Sequence, residues 1–140
     1  VEFNARFGDP ETQVVLDRLA TPLATLLQSC AVGGLDPAFR LEWHPGAAVT
    51  VVLAAEGYPA APVKGDEILG VDDAAKVEGA YVLHAGTKLD GHGRLLANGG
   101  RVLNVVGTGE DVPAARAAAY EAVSKITLRG GHHRTDIAAL

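Results

Sequence analysis

The sequence VEFNARFGDPETQ occupies residues 1–13 and decides how the rest of the chain is interpreted. Apolar and polar residues alternate strictly over residues 1–7, with Glu2, Asn4 and Arg6 at the polar positions. A period of two predicts a half-buried strand. Because residues i, i+2 and i+4 of a strand share a face, the three polar side chains are expected to line up together.

The next four residues, here called the GDPE turn (residues 8–11), predict the end of this strand and the start of a helix. Gly8 suits a sharp backbone turn. Asp9 suits a helix cap, Pro10 the first helical position, and Glu11 the positive end of the helix. A helix is therefore predicted over residues 10–19.

Thr21-Pro22 repeats the same start signal, and Gly33-Gly34 follows, so a second helix is predicted over residues 21–32. Its Cys30 lies in an apolar run and is predicted to be an ordinary core residue. A single cysteine excludes an internal disulfide framework and suggests a reducing, cytoplasmic location.

The composition restricts the classes of protein to be considered. A chain of 140 residues with 48% hydrophobic residues is the size of one domain and can form a core. The formal net charge of -5 argues against a nucleic-acid partner or an anionic membrane surface. The sequence contains no uncharged apolar run long enough to predict a transmembrane helix, and no signal peptide is predicted.

The rest of the chain predicts an α+β unit that is mostly antiparallel. The predicted elements are strands over residues 39–43, 47–55 and 100–107, a short strand or turn over residues 64–71, a hairpin that pairs residues 78–84 with 94–96, and an alanine-rich helix over residues 111–126. Residues 1–34 and 35–140 are predicted to be separate units, the first being the end of another domain.

Two stretches carry candidate chemistry. Carboxylate and amide oxygens such as those of Glu2 and Asn4 are hard ligands that suit Mg²⁺, and Arg6 offers a planar fork for a phosphate or a carboxylate. The alternative is an amphipathic strand with a solvated polar face. The segment Asn98-Gly99-Gly100-Arg101, here called the NGGR loop, can expose backbone N–H groups to an anion, or it is a plain turn.

Four of the five histidines are predicted to be surface or structural residues rather than metal ligands, because adjacent loop histidines lack a metal-ligand spacing: His84, His92, His132 and His133.

Arg-Phe-Gly-Asp-Pro-Glu stands unbroken over residues 6–11, with Gln13 two residues further on. This segment resembles the metal-binding strand of ATP-grasp ligases and, more narrowly, a signature of the glycinamide ribonucleotide synthetase family. The resemblance extends over essentially the whole chain through Ala54-Ala55-Glu56-Gly57-Tyr58-Pro59, His84-Ala85-Gly86-Thr87-Lys88, Asn98-Gly99-Gly100-Arg101-Val102-Leu103, Ala118-Ala119-Tyr120 and Arg134-Thr135-Asp136-Ile137.

The resemblance implies an α+β fold in which residues 1–34 are the closing strand and helices of an ATP-grasp domain. Residues 35–140 would be a small β-rich C-terminal domain with one packed helix. It implies a ligase of purine biosynthesis that uses ATP to join glycine to 5-phosphoribosylamine through a glycyl phosphate. The family's N-terminal domain and most of its ATP-grasp domain are missing here, so the isolated chain is expected to be inactive.

The resemblance also implies the site residues. Glu2 and Asn4 would bind Mg²⁺ or Mn²⁺, ATP would be the co-substrate, and Arg6 would be a catalytic residue facing the transferring phosphate. The substrate-binding residues would be Gly8, Asp9, Pro10, Glu11, Asn98, Gly99, Gly100 and Arg101. For Asp9 and Glu11 a capping role is the alternative. For the whole chain the alternatives are another ATP-grasp ligase or carboxylase, or a binding or assembly domain without chemistry.

Overall fold

The computed structural model describes residues 3 and 5–139. Eleven elements lie in this part of the chain: α1 Glu11–Arg18, α2 Leu23–Ala31, β1 Ala47–Ala54, β2 Ile68–Leu69, α3 Val71–Ala74, β3 Ala80–His84, β4 Thr87–Leu89, β5 Leu95–Ala97, β6 Arg101–Gly109, α4 Val112–Lys125 and β7 Thr127–Leu128. They form an α+β fold, as predicted. In the described range, no helix is long and apolar enough to cross a membrane.

A three-stranded antiparallel sheet of order β1-β6-β3 is the centre of the fold. The valine-rich strands β1 and β6 pair over their whole length, from Ala47 opposite Gly109 to Ala54 opposite Arg101. Branched side chains favour this extended backbone because they pack well on a pleated surface. Two small sheets, β2-β7 and β4-β5, flank the central one.

Helix α4 covers one face of the central sheet. Its first turn is capped by Asp111, whose carboxylate accepts a hydrogen bond from the Ala114 amide at 2.8 Å. The helix buries its small side chains against the valines of β1 and β6. At Gly107 of β6 a Cβ atom would lie 2.2 Å from the Ala115 carbonyl oxygen, so the helix backbone rests directly on the strand.

Helix α1 lies on the opposite face. The Tyr81 hydroxyl of β3 donates a hydrogen bond of 2.9 Å to Asp17 of α1. The Arg18 guanidinium donates to the Pro45 carbonyl at 2.8 Å, and Leu19 forms an antiparallel bridge with Trp43. Helix α1 and its C-terminal end therefore supply part of the contact between the first 34 residues and the rest of the chain.

The predicted strand over residues 1–7 is wrong for the part of it that the structure describes. Phe3, Ala5, Arg6 and Phe7 lie in no strand, and Phe3 and Phe7 are 89% and 61% exposed. An alternating segment becomes a strand only when a neighbouring strand supplies hydrogen-bond partners, and none of the described residues does so here. Val1, Glu2 and Asn4 lie outside the described residues.

Three further predictions are wrong. Strand β3 pairs with β6 rather than with β5, because the long buried strand β6 offers β3 an apolar edge. The local hairpin joins β4 to β5 instead. The strand predicted over residues 39–43 is reduced to the single bridge at Trp43. Cys30 is exposed, because no residue of α2 is buried.

Candidate functional site

The GDPE turn lies at the N-terminal end of α1, and Asp9 is its most connected residue. One carboxylate oxygen of Asp9, Oδ1, accepts a hydrogen bond from the Gln13 side-chain amide at 2.8 Å. The other, Oδ2, lies 3.3 Å from the Arg101 guanidinium. A second nitrogen of Arg101 donates to the Asp9 carbonyl oxygen at 2.8 Å. The two stretches singled out in the sequence, the GDPE turn and the NGGR loop, are thus in direct contact.

Neither Asp9 nor Glu11 makes a capping hydrogen bond, although Glu11 lies in the first turn of α1 as predicted. The N-cap of α1 is Pro10, and no side chain makes a capping hydrogen bond there. The expectation for Gly8 also changes, since its φ does not lie in the left-handed region. A Cβ atom at Gly8 would lie 2.6 Å from a carboxylate oxygen of Glu11. Glycine at this position therefore lets the Glu11 side chain fold over the turn.

The NGGR loop is held by close backbone packing. The Asn98 amide donates to the Gly86 carbonyl at 2.7 Å, and the Gly100 carbonyl accepts from Ala55 at 2.9 Å. A Cβ atom at Gly100 would lie 2.4 Å from the Tyr58 ring, and Gly99 packs on Gly86. The glycines therefore bring Arg101 within reach of Asp9 by allowing the loop to approach its neighbours closely.

The other predicted site residues have fewer partners. Arg6 is exposed, and its guanidinium donates to the neighbouring Phe7 carbonyl oxygen at 2.8 Å. The predicted metal ligands Glu2 and Asn4 are not among the described residues. Over residues 3 and 5–139, no group of three or more histidine, cysteine, aspartate or glutamate side chains is arranged to hold a metal ion.

A cavity of about 520 Å³ adjoins the GDPE turn. Its lining is mostly apolar and combines residues before and in α1 with two residues of β3: Phe7, Gly8, Thr12, Gln13, Leu16, Asp17, Tyr81 and Leu83. The Gln13 carbonyl oxygen Oε1 is buried and has no partner among the described residues. The cavity touches the segment over residues 6–11 through Phe7 and Gly8.

Asp17 and Tyr81 form one wall of this cavity. Burial and the hydrogen bond to Asp17 raise the pKa of Tyr81 to about 12. Asp17 also accepts from Arg18, with nitrogen–oxygen distances of 2.6 and 2.8 Å. Sequence reasoning missed this pair, because the two residues are 64 positions apart and neither belongs to a recognised motif. The available signal was a tyrosine in a short strand, whose hydroxyl needs a hydrogen-bond partner when it is partly buried.

The family model described as "Phosphoribosylglycinamide synthetase, C domain" matches residues 48–140, which is more than half of the chain. The chain belongs to this family. The phosphoribosylglycinamide synthetase C domain therefore includes the central sheet, α4 and the NGGR loop, whereas the GDPE turn precedes the matched residues.

Curated relatives of this phosphoribosylglycinamide synthetase family chain carry the name phosphoribosylamine–glycine ligase. The relative from Streptomyces coelicolor is 55% identical over 141 residues, which cover 99% of this chain and 34% of the relative. The relative from Mycobacterium tuberculosis is 56% identical over 137 residues, covering 98% of this chain and 31% of its own length. The chain therefore spans about a third of the curated relatives that it matches.

A solved structure is similar over the same extent. The crystal structure of phosphoribosylamine–glycine ligase from Thermotoga maritima superposes with a TM-score of 0.80 at 39% sequence identity, covering 98% of this chain and 32% of that one. The similarity includes the first 47 residues as well as the matched family domain, because only three of the 140 residues are left uncovered at 98% coverage.

Proposed function

We propose that this chain is the C-terminal part of an ATP-dependent ligase that joins glycine to 5-phosphoribosylamine in purine biosynthesis. The observation that carries the proposal is the unbroken segment Arg6 to Glu11 in a chain that is 55% identical, over nearly all its length, to a ligase of that name. The contact between the GDPE turn and the NGGR loop supports it, because two segments that carry the resemblance meet although Asp9 and Arg101 are 92 positions apart.

The proposed reaction has two steps. A carboxylate oxygen of glycine attacks the γ-phosphorus of ATP, the bond to the β-phosphate oxygen breaks, and ADP leaves, which forms glycyl phosphate. The amine nitrogen of the ribosylamine then attacks the acyl carbon, the bond to the phosphate oxygen breaks, and inorganic phosphate leaves as the nitrogen loses a proton. ATP is required because a free carboxylate is a poor acyl donor.

Glu2 and Asn4 are the residues that would hold Mg²⁺ or Mn²⁺. A carboxylate and an amide oxygen are a suitable donor set for such hard cations, which complete their shell with phosphate oxygens and water. When bound, the cation supplies charge neutralisation for the β- and γ-phosphates. Arg6 would contact the transferring phosphate, and its exposed guanidinium, with one local hydrogen bond, is available for that contact.

The GDPE turn and the NGGR loop would form one substrate-binding rim for the ribosylamine: Gly8, Asp9, Pro10, Glu11, Asn98, Gly99, Gly100 and Arg101. Both Asp9 and Arg101 are more than one-third exposed, which leaves them accessible to a ligand. The apolar cavity beside Gly8 is the neighbouring space in which part of a substrate or of the remaining ligase chain would lie.

We further propose that residues 1–34 close an ATP-grasp domain and that residues 35–140 form the small C-terminal domain of a cytoplasmic enzyme. The exposed apolar residues of α1 and α2 support this division, because helices of a complete domain bury such residues. The match of the family model from residue 48 onward is consistent with a boundary before β1.

The test compares the isolated chain with the same chain joined to the missing segments of its reading frame. We expect the complete protein to form glycinamide ribonucleotide, ADP and phosphate when given all three substrates and Mg²⁺. We expect the isolated chain to be inactive and to bind ATP weakly, because it lacks most of the nucleotide site. A micromolar dissociation constant for ATP in calorimetric titration of the isolated chain would contradict the second expectation.

The alternatives predict different results in the same assay. Another ATP-grasp ligase or carboxylase would consume ATP with a different acceptor and leave glycine unused. A binding or assembly domain would leave ATP unhydrolysed even in the complete protein. The segment over residues 6–11 favours the glycine ligase over both.

A further inference from the structure

We infer that Arg101 is a positioning residue whose guanidinium holds Asp9, and with it the GDPE turn, in the orientation that receives the ribosylamine. This inference rests on the proposed function. It begins from the contact itself: two nitrogens of Arg101 bind Asp9 at two different points, the carbonyl oxygen at 2.8 Å and the carboxylate Oδ2 at 3.3 Å. Two contacts from one planar group restrict both the backbone and the side chain of Asp9.

Gln13 completes the arrangement from the other side. Its side-chain amide donates to Asp9 Oδ1 at 2.8 Å. Because a carboxylate accepts and does not donate, this bond also determines which end of the Gln13 amide faces Asp9. The Asp9 carboxylate is therefore held between a donor on α1, which follows it in the chain, and a donor from the NGGR loop.

The carboxylate nevertheless keeps capacity for a ligand. An ionised carboxylate has about four acceptor positions, and the structure uses one on each oxygen. The Asp9 side chain is 38% exposed. A hydroxyl or amine donor of the substrate can therefore reach it without displacing Arg101 or Gln13, which is the expected geometry of a binding group with an orienting partner.

The backbone of Arg101 is itself held in place by its neighbours. It begins β6, opposite Ala54 in the central sheet, and the preceding loop is packed on Tyr58 and Gly86. Its carbonyl oxygen accepts from the Gly86 amide at 2.9 Å. Residues 35–140 would thereby set the geometry of a turn that lies in the first 34 residues. Among the described residues, no other salt bridge joins these two segments.

The kinetic test uses the complete ligase with Arg101→Met, which keeps the aliphatic stem and removes the donors. We expect the KM for the ribosylamine to rise at least ~tenfold, since hydrogen bonds to charged groups are among the stronger ones. The KM values for ATP and glycine should stay within about twofold. Arg101→Lys keeps the charge but loses the fork, so it should fall between Met and the wild type.

Arg129→Met is the matched control, because Arg129 also binds carboxylates by a fork but pairs with Asp66 and Glu56 rather than with a residue of the GDPE turn. It should lower the melting temperature without changing any KM. An Arg101→Met ligase that melts lower but keeps its KM for the ribosylamine would overturn the inference. The double variant with Asp9→Asn should be no worse than the more impaired single variant, because the two residues act as a unit.

A second measurement separates this inference from the proposed function. In the 140-residue chain, hydrogen exchange of the Thr12 amide, which donates to the Gly8 carbonyl at 3.1 Å, reports on the order of the turn. Arg101→Met should accelerate this exchange, whereas Arg129→Met should not. A complete wild-type protein without ligase activity would reject the proposed function alone, and unchanged exchange at Thr12 would reject the positioning role alone.

Discussion

Tyr81 connects the first segment to the sheet through a single side chain. Its hydroxyl donates to Asp17 on α1, and Asp17 is only 13% exposed because Arg18 covers its other oxygen. A tyrosinate at this position would be poorly solvated and would face a carboxylate, so the protonated form is favoured. One of the hydrogen bonds that join the two segments therefore depends on the protonation state of a phenol.

We predict that the free energy of unfolding falls as the pH rises from about 10 to about 12. The pKa of Tyr81 is raised from 10.0 to about 12, so the folded chain retains this proton at pH values where the unfolded chain loses it. The contribution is fully present below pH 10 and is lost as the pH passes the folded pKa. Urea unfolding at pH 9 and pH 11.5, measured on the wild type and on Tyr81→Phe, tests this prediction.

In Tyr81→Phe, the loss of stability over this pH range should be smaller than in the wild type. Tyr58→Phe is the control, because Tyr58 packs on Gly100 rather than on Asp17, and it should keep the wild-type pH dependence. Identical pH slopes in the wild type and in Tyr81→Phe would mean that the phenol does not couple the two segments.

At the scale of elements, the contact between α4 and β6 depends on a position of the strand that has no side chain. A Cβ atom at Gly107 would lie 2.2 Å from the Ala115 carbonyl oxygen and 2.4 Å from the Ala119 amide nitrogen. Both are backbone atoms of a helix that is capped by Asp111, so neither can move alone. The alanine-rich face of α4 is thus matched to a strand that has no side chain at the point of closest approach.

We predict that Gly107→Ala destabilises the chain by at least the ~1–3 kcal/mol that is typical of overpacking, because helix and strand must separate to admit the methyl group. Gly91→Ala is the matched control. Gly91 has open space around its Cβ position and no positive φ, so this replacement should be neutral. Urea denaturation of both variants measures the difference, and equal midpoints would show that the α4 contact tolerates a shift of this size.

At the scale of the molecule, the buried residues are distributed unequally along the chain. All the buried residues of the described chain lie between Val49 and Val123. The segment before β1 contributes none, and among the described residues it holds most of the large hydrophobic side chains that are exposed: Phe3, Phe7, Val15, Leu16, Leu27, Val32, Leu35, Phe39, Leu41 and Trp43. Since the relatives are about three times as long, we expect further parts of a ligase chain to cover this surface.

We predict a gradient of hydrogen-exchange protection that follows this division. Amides of β6 and α4 should exchange at least ~100-fold more slowly than those of α2. Because no residue of α2 is buried, the local opening of this helix exposes little new apolar surface and costs little free energy. In the complete protein, joined to the further segments found in its relatives, the amides of α2 should become protected while those of β6 stay as they are. Uniform protection across the isolated chain would contradict the prediction.

The sequence by itself determined the regular elements whose signals are local. The helices began and ended near the predicted residues because proline, aspartate and glycine act on their own backbone, as at Asp111 and at Gly33. Strands β1 and β6 were recognisable because their valines favour extended backbone wherever they occur. The segment over residues 6–11 identified the family, because six specific residues in order are rarely matched by chance.

Only the tertiary structure decided which segments meet. The partner of β3, the bonds of Asp9 to Arg101, and the pairing of Asp17 with Tyr81 join residues far apart in sequence, and no local preference encodes such contacts. The exposure of Cys30, Phe3 and Phe7 has the same origin. An apolar pattern in the sequence indicates that one face of a segment can be buried. Whether it is buried depends on another segment that packs against that face, and the pattern does not identify that segment.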